Sequence, residues 1–258
     1  MNKLVKAITF GTLSLAAVLS SANADERGET IARSYFGLKD PSTVRSSATM
    51  TLTDKKGATR GRTLEMYERK DSKGTASFIE FSAPADVKGT RFLSVPLDNG
   101  SNEQRIYLPA LKKVRLIASS GKKGRFVGSD FSFYDMEDRD FDDYTYTYLR
   151  DEKLGERSCN VVKMTSKDES APYSHAEAWA DVADSFVYQL KLYDRATGGH
   201  IKTLSVLETG VYDGCIIPVK VRMTNVADNT STDLVLNNVE VNGKIDGKFF
   251  TMQHLEAK

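Results

Sequence analysis

Two cysteines, three histidines and one tryptophan are all that 258 residues contain of the side chains most used in redox, metal and stacking chemistry. His175, His200 and His254 stand far apart and in no metal-ligand spacing, so no metal site is expected. Cys159 and Cys215 form no C-x-x-C pair, the arrangement that lowers a thiol pKa, so a redox centre is not expected either. There is no G-x-S-x-G elbow. Ser119-Ser120-Gly121-Lys122 matches S-x-x-K, but without a companion motif. Asp138, Asp140 and Asp142 alternate like the start of a calcium loop, yet Asp143 stands where that loop needs glycine and no Glu closes it. The glycines of 121–124 and 243–247 lack the Ser or Thr that follows a phosphate loop. No nucleophile with its base emerges, and no cofactor fingerprint. The expectation is a protein that is not an enzyme and holds no cofactor. A formal net charge of only +1 argues against nucleic acid as a partner.

Long apolar runs are also missing after residue 24, so no membrane span is expected there. The N-terminus differs. Met1-Asn2-Lys3-Leu4-Val5-Lys6 is basic, Ala7 to Leu19 is apolar, and Ala22 and Ala24 fit the small-residue rule of a signal peptidase. Residues 1–24 read as a cleavable export signal, leaving one soluble domain over 25–258. Export to an oxidising compartment would let Cys159 and Cys215 pair, so a possible disulfide joins them in this reading.

What the chain has in plenty is alternation. From Glu29 to Leu38 the apolar spacing suits one face of a short helix, which Pro41 ends. After that a period of two takes over in Ala48–Leu52, Leu64–Glu68, Ala76–Phe81, Arg91–Val95, Arg105–Leu108 and Lys113–Ile117. It continues in Tyr144–Leu149, Asn160–Thr165, Ala176–Ala180, Val187–Tyr193, His200–Glu208, Ile217–Asn225 and Thr232–Val241. Gly, Asp and Asn lie between these segments, which points to an antiparallel meander, closed or nearly closed. No helical segments alternate with the strands, so a parallel α/β sheet is not expected. A barrel of more than about eight strands is too wide for its own side chains to fill, and must be plugged or hold a ligand or water.

Charge is ordered as well. Lys112, Lys113, Arg115, Lys122, Lys123 and Arg125 form a basic block, followed by an acidic one from Asp130 to Asp143. The two can neutralise each other. Alternatively the basic block is a docking edge for anionic headgroups, each charge worth on the order of 1 kcal/mol near a membrane surface.

The stretch Arg105-Ile106-Tyr107-Leu108-Pro109-Ala110-Leu111-Lys112-Lys113, running on into Gly128-Ser129-Asp130-Phe131, resembles the outer-membrane lipoprotein-sorting-like family, relatives of the periplasmic carriers LolA and LolB. Asp86–Leu93, Leu192-Tyr193-Asp194, Lys202-Thr203-Leu204 and Asn237–Asn242 add to the likeness. The resemblance implies an all-β fold with a few short helices, in which a curled antiparallel sheet forms an incomplete β-barrel under a helical lid. It implies a periplasmic protein that receives the acyl chains of a lipid or lipoprotein in an apolar cavity. It also implies an inner-membrane permease of the resistance-nodulation-division type as partner, and transient contact with a membrane surface. No catalytic residue comes with the resemblance. Gly128, Ser129, Asp130 and Phe131 are its motif residues, and Ser129 or Asp130 is expected to cap the segment Phe131 to Met136.

Alternation nominates Leu64, Met66, Phe78, Phe81, Phe92, Leu93, Tyr107, Phe131, Trp179 and Leu190 for the lipid-binding face, although a shift of one register would flip each set and each could equally fill a dry core. The N-terminal helix and the segment Phe131 to Tyr144 are the expected lid. The rival expectation is a periplasmic adaptor that binds a transporter or another envelope protein, with its interior packed.

Overall fold

A computed structural model describes residues 13–98 and 100–257. Among the described residues, thirteen strands form one antiparallel sheet. They are β1 (Thr43–Thr53), β2 (Thr59–Asp71), β3 (Gly74–Ala83), β4 (Arg91–Pro96), β5 (Asn102–Leu108), β6 (Lys113–Ile117), β7 (Tyr144–Leu154), β8 (Arg157–Ser166), β9 (Tyr173–Asp181), β10 (Val187–Asp194), β11 (His200–Tyr212), β12 (Cys215–Asn225) and β13 (Thr230–Val241). The order across the sheet is β6-β5-β4-β3-β2-β1-β13-β12-β11-β10-β9-β8-β7, with two free ends and no closure.

The chain therefore makes two meanders. The first runs from β1 outward to one edge at β6. The second runs from the opposite edge, β7, inward to β13. They join at a central seam where β1 pairs with β13, Val44 opposite Val241 and Thr53 opposite Ser231. Tight turns keep each meander in register. Asp213-Gly214, between β11 and β12, has φ of 50° and 77° at its two residues, the left-handed pair that a two-residue hairpin of matching twist requires.

The segment from 118 to 143 links the two edges, and it does so across the inner face of the sheet. Phe126 packs edge-on to Phe92 of β4 at 5.2 Å between ring centres, and onto Phe133 at 5.6 Å. Tyr134, next in sequence, meets Tyr173 of β9 at 5.7 Å. On a flat sheet β4 and β9 would lie about 38 Å apart, eight steps of about 4.8 Å each. One short segment can touch both only because the sheet curls around it.

Two helices complete the fold. The first, α1 (Leu13–Phe36), starts earlier than the short helix expected from Glu29 and runs through the expected signal cleavage position. Its C-terminal half lies against β7, where Arg27 pairs with Asp151 at 3.0 Å and sits 3.6 Å above the Tyr148 ring. Three inward alanines of β9, Ala176, Ala178 and Ala180, leave room on the inner face for the side chains that α1 and the crossing segment bring in. The second helix, α2 (Met252–Glu256), lies on the outer face, where Phe250 and Leu255 cover Ala76, Phe78 and Leu93. Both faces of the β2–β5 region are therefore buried.

Cys159 and Cys215 are both buried and both free thiols, so the expected disulfide is not formed. They lie on β8 and β12 with three strands between them. That is about 19 Å along the sheet, while a disulfide tolerates a Cα separation of at most about 7 Å.

Candidate functional site

The interior of the curl has two regions. Around the crossing segment it is solid: Leu64, Phe81, Phe92, Phe126 and Phe131 pack with Met50, Ile79 and Met223 in one buried cluster. Beside it, over the central seam, a hollow of about 550 Å³ remains open. Its floor is Val44 of β1, Met66 of β2, Val221 of β12, and Leu234 and Leu236 of β13. Its mouth lies between Tyr35 and Phe36 at the end of α1 and residues Asp138–Phe141 of the crossing segment. A smaller space of about 310 Å³ adjoins it and shares Val44, Met66, Glu68 and Lys70. These volumes lie in the usual range of small-molecule sites, roughly 300–1,000 Å³.

The two sides of the mouth touch. Phe36 and Phe141 meet edge to face at 5.9 Å, and the Arg33 guanidinium lies 4.2 Å above the Phe141 ring. Burial pushes the Tyr35 phenol up to about 12, with Asp40 and Asp138 adding to the rise, so it stays a neutral hydroxyl at the rim. Both segments expected as lids thus border the opening. The crossing segment differs from a simple lid, because most of it is a plug built into the core.

Polar clamps hold that plug. Asp130 is 3% exposed, and its carboxylate accepts hydrogen bonds from the Thr230 hydroxyl at 2.5 Å and the Thr232 hydroxyl at 2.8 Å, both on β13. Its own backbone N–H donates to the Thr232 oxygen at 2.9 Å. Asp135 accepts from the Ser132 N–H at 2.7 Å, the Tyr173 hydroxyl at 3.3 Å and the Lys202 ammonium at 3.3 Å. Val127 and Gly128 both adopt left-handed backbone, at φ of 46° and 75°, which turns the chain between Phe126 and Phe131. A β-branched residue is rare there and is held only because its surroundings fix it.

The Gly128-Ser129-Asp130-Phe131 motif thus plays a different part from the expected helix cap. Residues 131–136 form no α-helix, only a short 3₁₀ turn over Tyr134–Met136. The Ser129 hydroxyl donates to the Phe126 carbonyl at 2.7 Å, and Asp130 ties the plug to the seam. Ser132 and Asp135 exchange the reciprocal bonds that close the turn.

The ten nominated lipid-binding residues divide three ways. Met66 lines the hollow. Leu64, Phe81, Phe92 and Phe131 face inward but fill the solid core, and Leu190 packs between that core and the cluster under α1. Phe78, Leu93 and Tyr107 lie on the outer face with Phe250 and Leu255, and Trp179 lies there with Cys159 and Val161. Those four are one register out of the interior. The residues missed are Tyr35, Phe36, Val221, Leu234, Leu236 and Glu68; an inward alternation Leu64, Met66, Glu68 was the available signal for the last.

The basic block also divides. Lys122 pairs with Glu137, and Arg125 pairs with Asp130 at 3.3 Å and with Asp228 at 2.6 Å. Basic and acidic blocks neutralise each other at these two positions. Lys112, Lys113 and Arg115 instead project from the β5–β6 hairpin beside exposed Leu111 and Leu116, with no ion pair among the described residues, and Lys123 is exposed on the crossing segment. Among the described residues, no three His, Cys, Asp or Glu side chains converge as a metal site. No described helix is long and apolar enough to cross a membrane.

An open antiparallel sheet, curled about a hollow with an apolar floor and a helix at its mouth, defines a LolA-like fold. The chain resembles an outer membrane lipoprotein-sorting protein domain from Vibrio parahaemolyticus, with 26% identity over 90% of this chain and 99% of that one and a TM-score of 0.84. A DUF1329 family protein from Desulfovibrio piger has the same fold at 23% identity, 90% and 99% coverage and a TM-score of 0.84. So has a LolA superfamily protein from Nitrosomonas europaea, at 15% identity, 88% and 98% coverage and a TM-score of 0.70. No curated protein matches the chain. A family model described as "-like: Uncharacterized protein" matches residues 73–257, and the chain belongs to that family.

Proposed function

We propose that this chain is a periplasmic carrier, without catalytic activity, that holds the acyl chain of a lipid or lipoprotein in the hollow over the β1/β13 seam. The observation that carries the reading is the hollow itself: an apolar floor of Met66, Val221, Leu234 and Leu236 that the crossing segment leaves uncovered. The sorting role printed for the Vibrio parahaemolyticus domain points the same way. In this reading residues 1–24 are removed on export, and residues 25–258 work as one domain.

The physical need for such a carrier is plain. An acyl chain in water costs roughly 0.8 kcal/mol per CH₂, so a sixteen-carbon chain costs roughly 13 kcal/mol to expose. A cavity that replaces the bilayer removes most of that cost and does not have to bind more tightly than the membrane does. The hairpin bearing Lys112, Lys113 and Arg115, with Leu111 and Leu116, would rest on anionic headgroups during exchange, and an inner-membrane permease would supply or accept the cargo. The Phe36–Phe141 contact is the gate that must part.

Native mass spectrometry of protein taken gently from its own envelope tests this. Wild type should carry a chain-bearing adduct. The double variant Val221→Phe, Leu234→Trp, whose two positions face each other across β12 and β13, should lose it while remaining folded. A wild-type spectrum free of adducts, together with no uptake of added lipid, would remove the proposal.

A further inference from the structure

The hollow contains one half-buried charged side chain that has no protein partner among the described residues. Glu68 lies in the inward register of β2, two residues beyond Met66, and borders both the main hollow and the adjoining space. Among the described residues its carboxylate accepts no hydrogen bond and joins no ion pair. The cations of the lining are engaged elsewhere: Lys70 is held by Asp40 at 2.6 Å, Arg139 pairs with Glu137 at 2.8 Å, and Lys39 donates to the Asp213 carbonyl. The acidic groups of the same lining are Asp40, which holds Lys70, Asp138, which accepts from the Thr75 hydroxyl at 2.7 Å, and Asp140. Burial, with Asp138 adding to it, pushes the Glu68 carboxyl up to about 7. A carboxylate beside an apolar floor is costly unless a partner meets it, and Gln or Met would fit the same strand at less cost.

We propose that Glu68 receives the head of the cargo, and that the cargo is a cationic amphiphile: an amine or ammonium group against Glu68, with its apolar chain over Met66, Val221 and Leu234. This rests on the carrier reading and narrows it to one ligand chemistry. An anionic head at this place would face the unpaired Glu68 with Asp138 and Asp140 beside it, while the cations of the same lining, Lys39, Lys70 and Arg139, already hold partners. A neutral alcohol would donate one hydrogen bond to the carboxylate but would lack the attraction between opposite charges that an ammonium adds.

Binding of dodecylamine, dodecanol, dodecanoate and butylamine, each below its micellar concentration, tests the proposal in wild type and Glu68→Gln. At pH 8 dodecylamine should bind about tenfold more tightly than dodecanol, and dodecanoate more weakly than either. At pH 5.5, where a proton occupies Glu68, the amine advantage should shrink several-fold. Glu68→Gln should keep the wild-type circular dichroism spectrum and still bind dodecanol measurably, which shows that the fold and hollow are intact, and should show no amine advantage at either pH. Butylamine should bind far more weakly than dodecylamine; equal binding would mean a free amine is the ligand and would overturn the amphiphile. An amine preference that survives in Glu68→Gln, or a preference for dodecanoate, would overturn the inference alone. Failure of every chain-bearing probe, dodecanol included, would instead strike the carrier reading beneath it.

Discussion

At the scale of single residues, Glu68 sets an opposition between ligand and stability. Its folded carboxyl titrates near 7, well above the ordinary glutamate value of about 4.3, so the folded state holds the proton more tightly than the unfolded chain does. Stability from this group is full at low pH and is lost as pH rises through about 7. Glu68→Gln is therefore expected to be more stable than wild type at pH 8, by on the order of 1–3 kcal/mol given the partial access of solvent to the hollow. The advantage should vanish toward pH 4. Urea midpoints of the two proteins across that range are the check, and an advantage that does not depend on pH would contradict it.

At the scale of elements, α1 and β7 depend on one another. β7 is an edge strand, and an uncovered edge invites pairing with another chain. The helix covers it closely: a Cβ built on Gly28 would stand 2.5 Å from the Tyr148 nitrogen and 2.8 Å from the Thr147 carbonyl carbon. Those are backbone atoms and cannot swing aside. Gly28→Val is expected to lift the helix at a cost of about 1–3 kcal/mol and to expose β7. Sedimentation velocity should then show more self-association than wild type at the same concentration. The other edge, β6, is protected differently, being five residues long with Lys113 and Arg115 on it.

The elements were also the most legible part of the sequence. Each of the thirteen alternating segments falls inside one strand, because period-two patterning and Gly or Asp turns are local signals. The facing of each strand was not local. Alternation marks an interior only when one face is polar, and here Phe78 and Ile79, or Phe92 and Leu93, are adjacent and both buried. The outer member of each pair is covered by residues around Phe250 and Leu255, more than 150 positions away in the chain. The Asp130 clamp was hidden for the same reason, since its threonine partners lie about 100 residues on.

At the scale of the whole molecule, the crossing segment decides how much of the interior is core and how much is hollow. Asp130 is its main tie to the seam. Asp130→Ala removes the acceptor of two threonine hydroxyls and one arginine contact in a buried place, which is expected to cost about 2–4 kcal/mol. Chemical denaturation measures that loss. Asp130→Asn, which keeps an acceptor, should lose less.

The seam has a consequence for how the molecule is made. Strand β1 is among the first to emerge from synthesis, yet its partner β13 lies about 180 to 200 residues later. Until that partner arrives, β1 offers a bare ladder of backbone groups and the first meander cannot complete its interior. Closing so long a loop is slow, because chain entropy is spent before any contact rewards it. The protein thus postpones its own completion: a nascent chain stays pliable until its last strand is delivered, and premature truncation anywhere before Thr230 would leave a sheet with its middle missing.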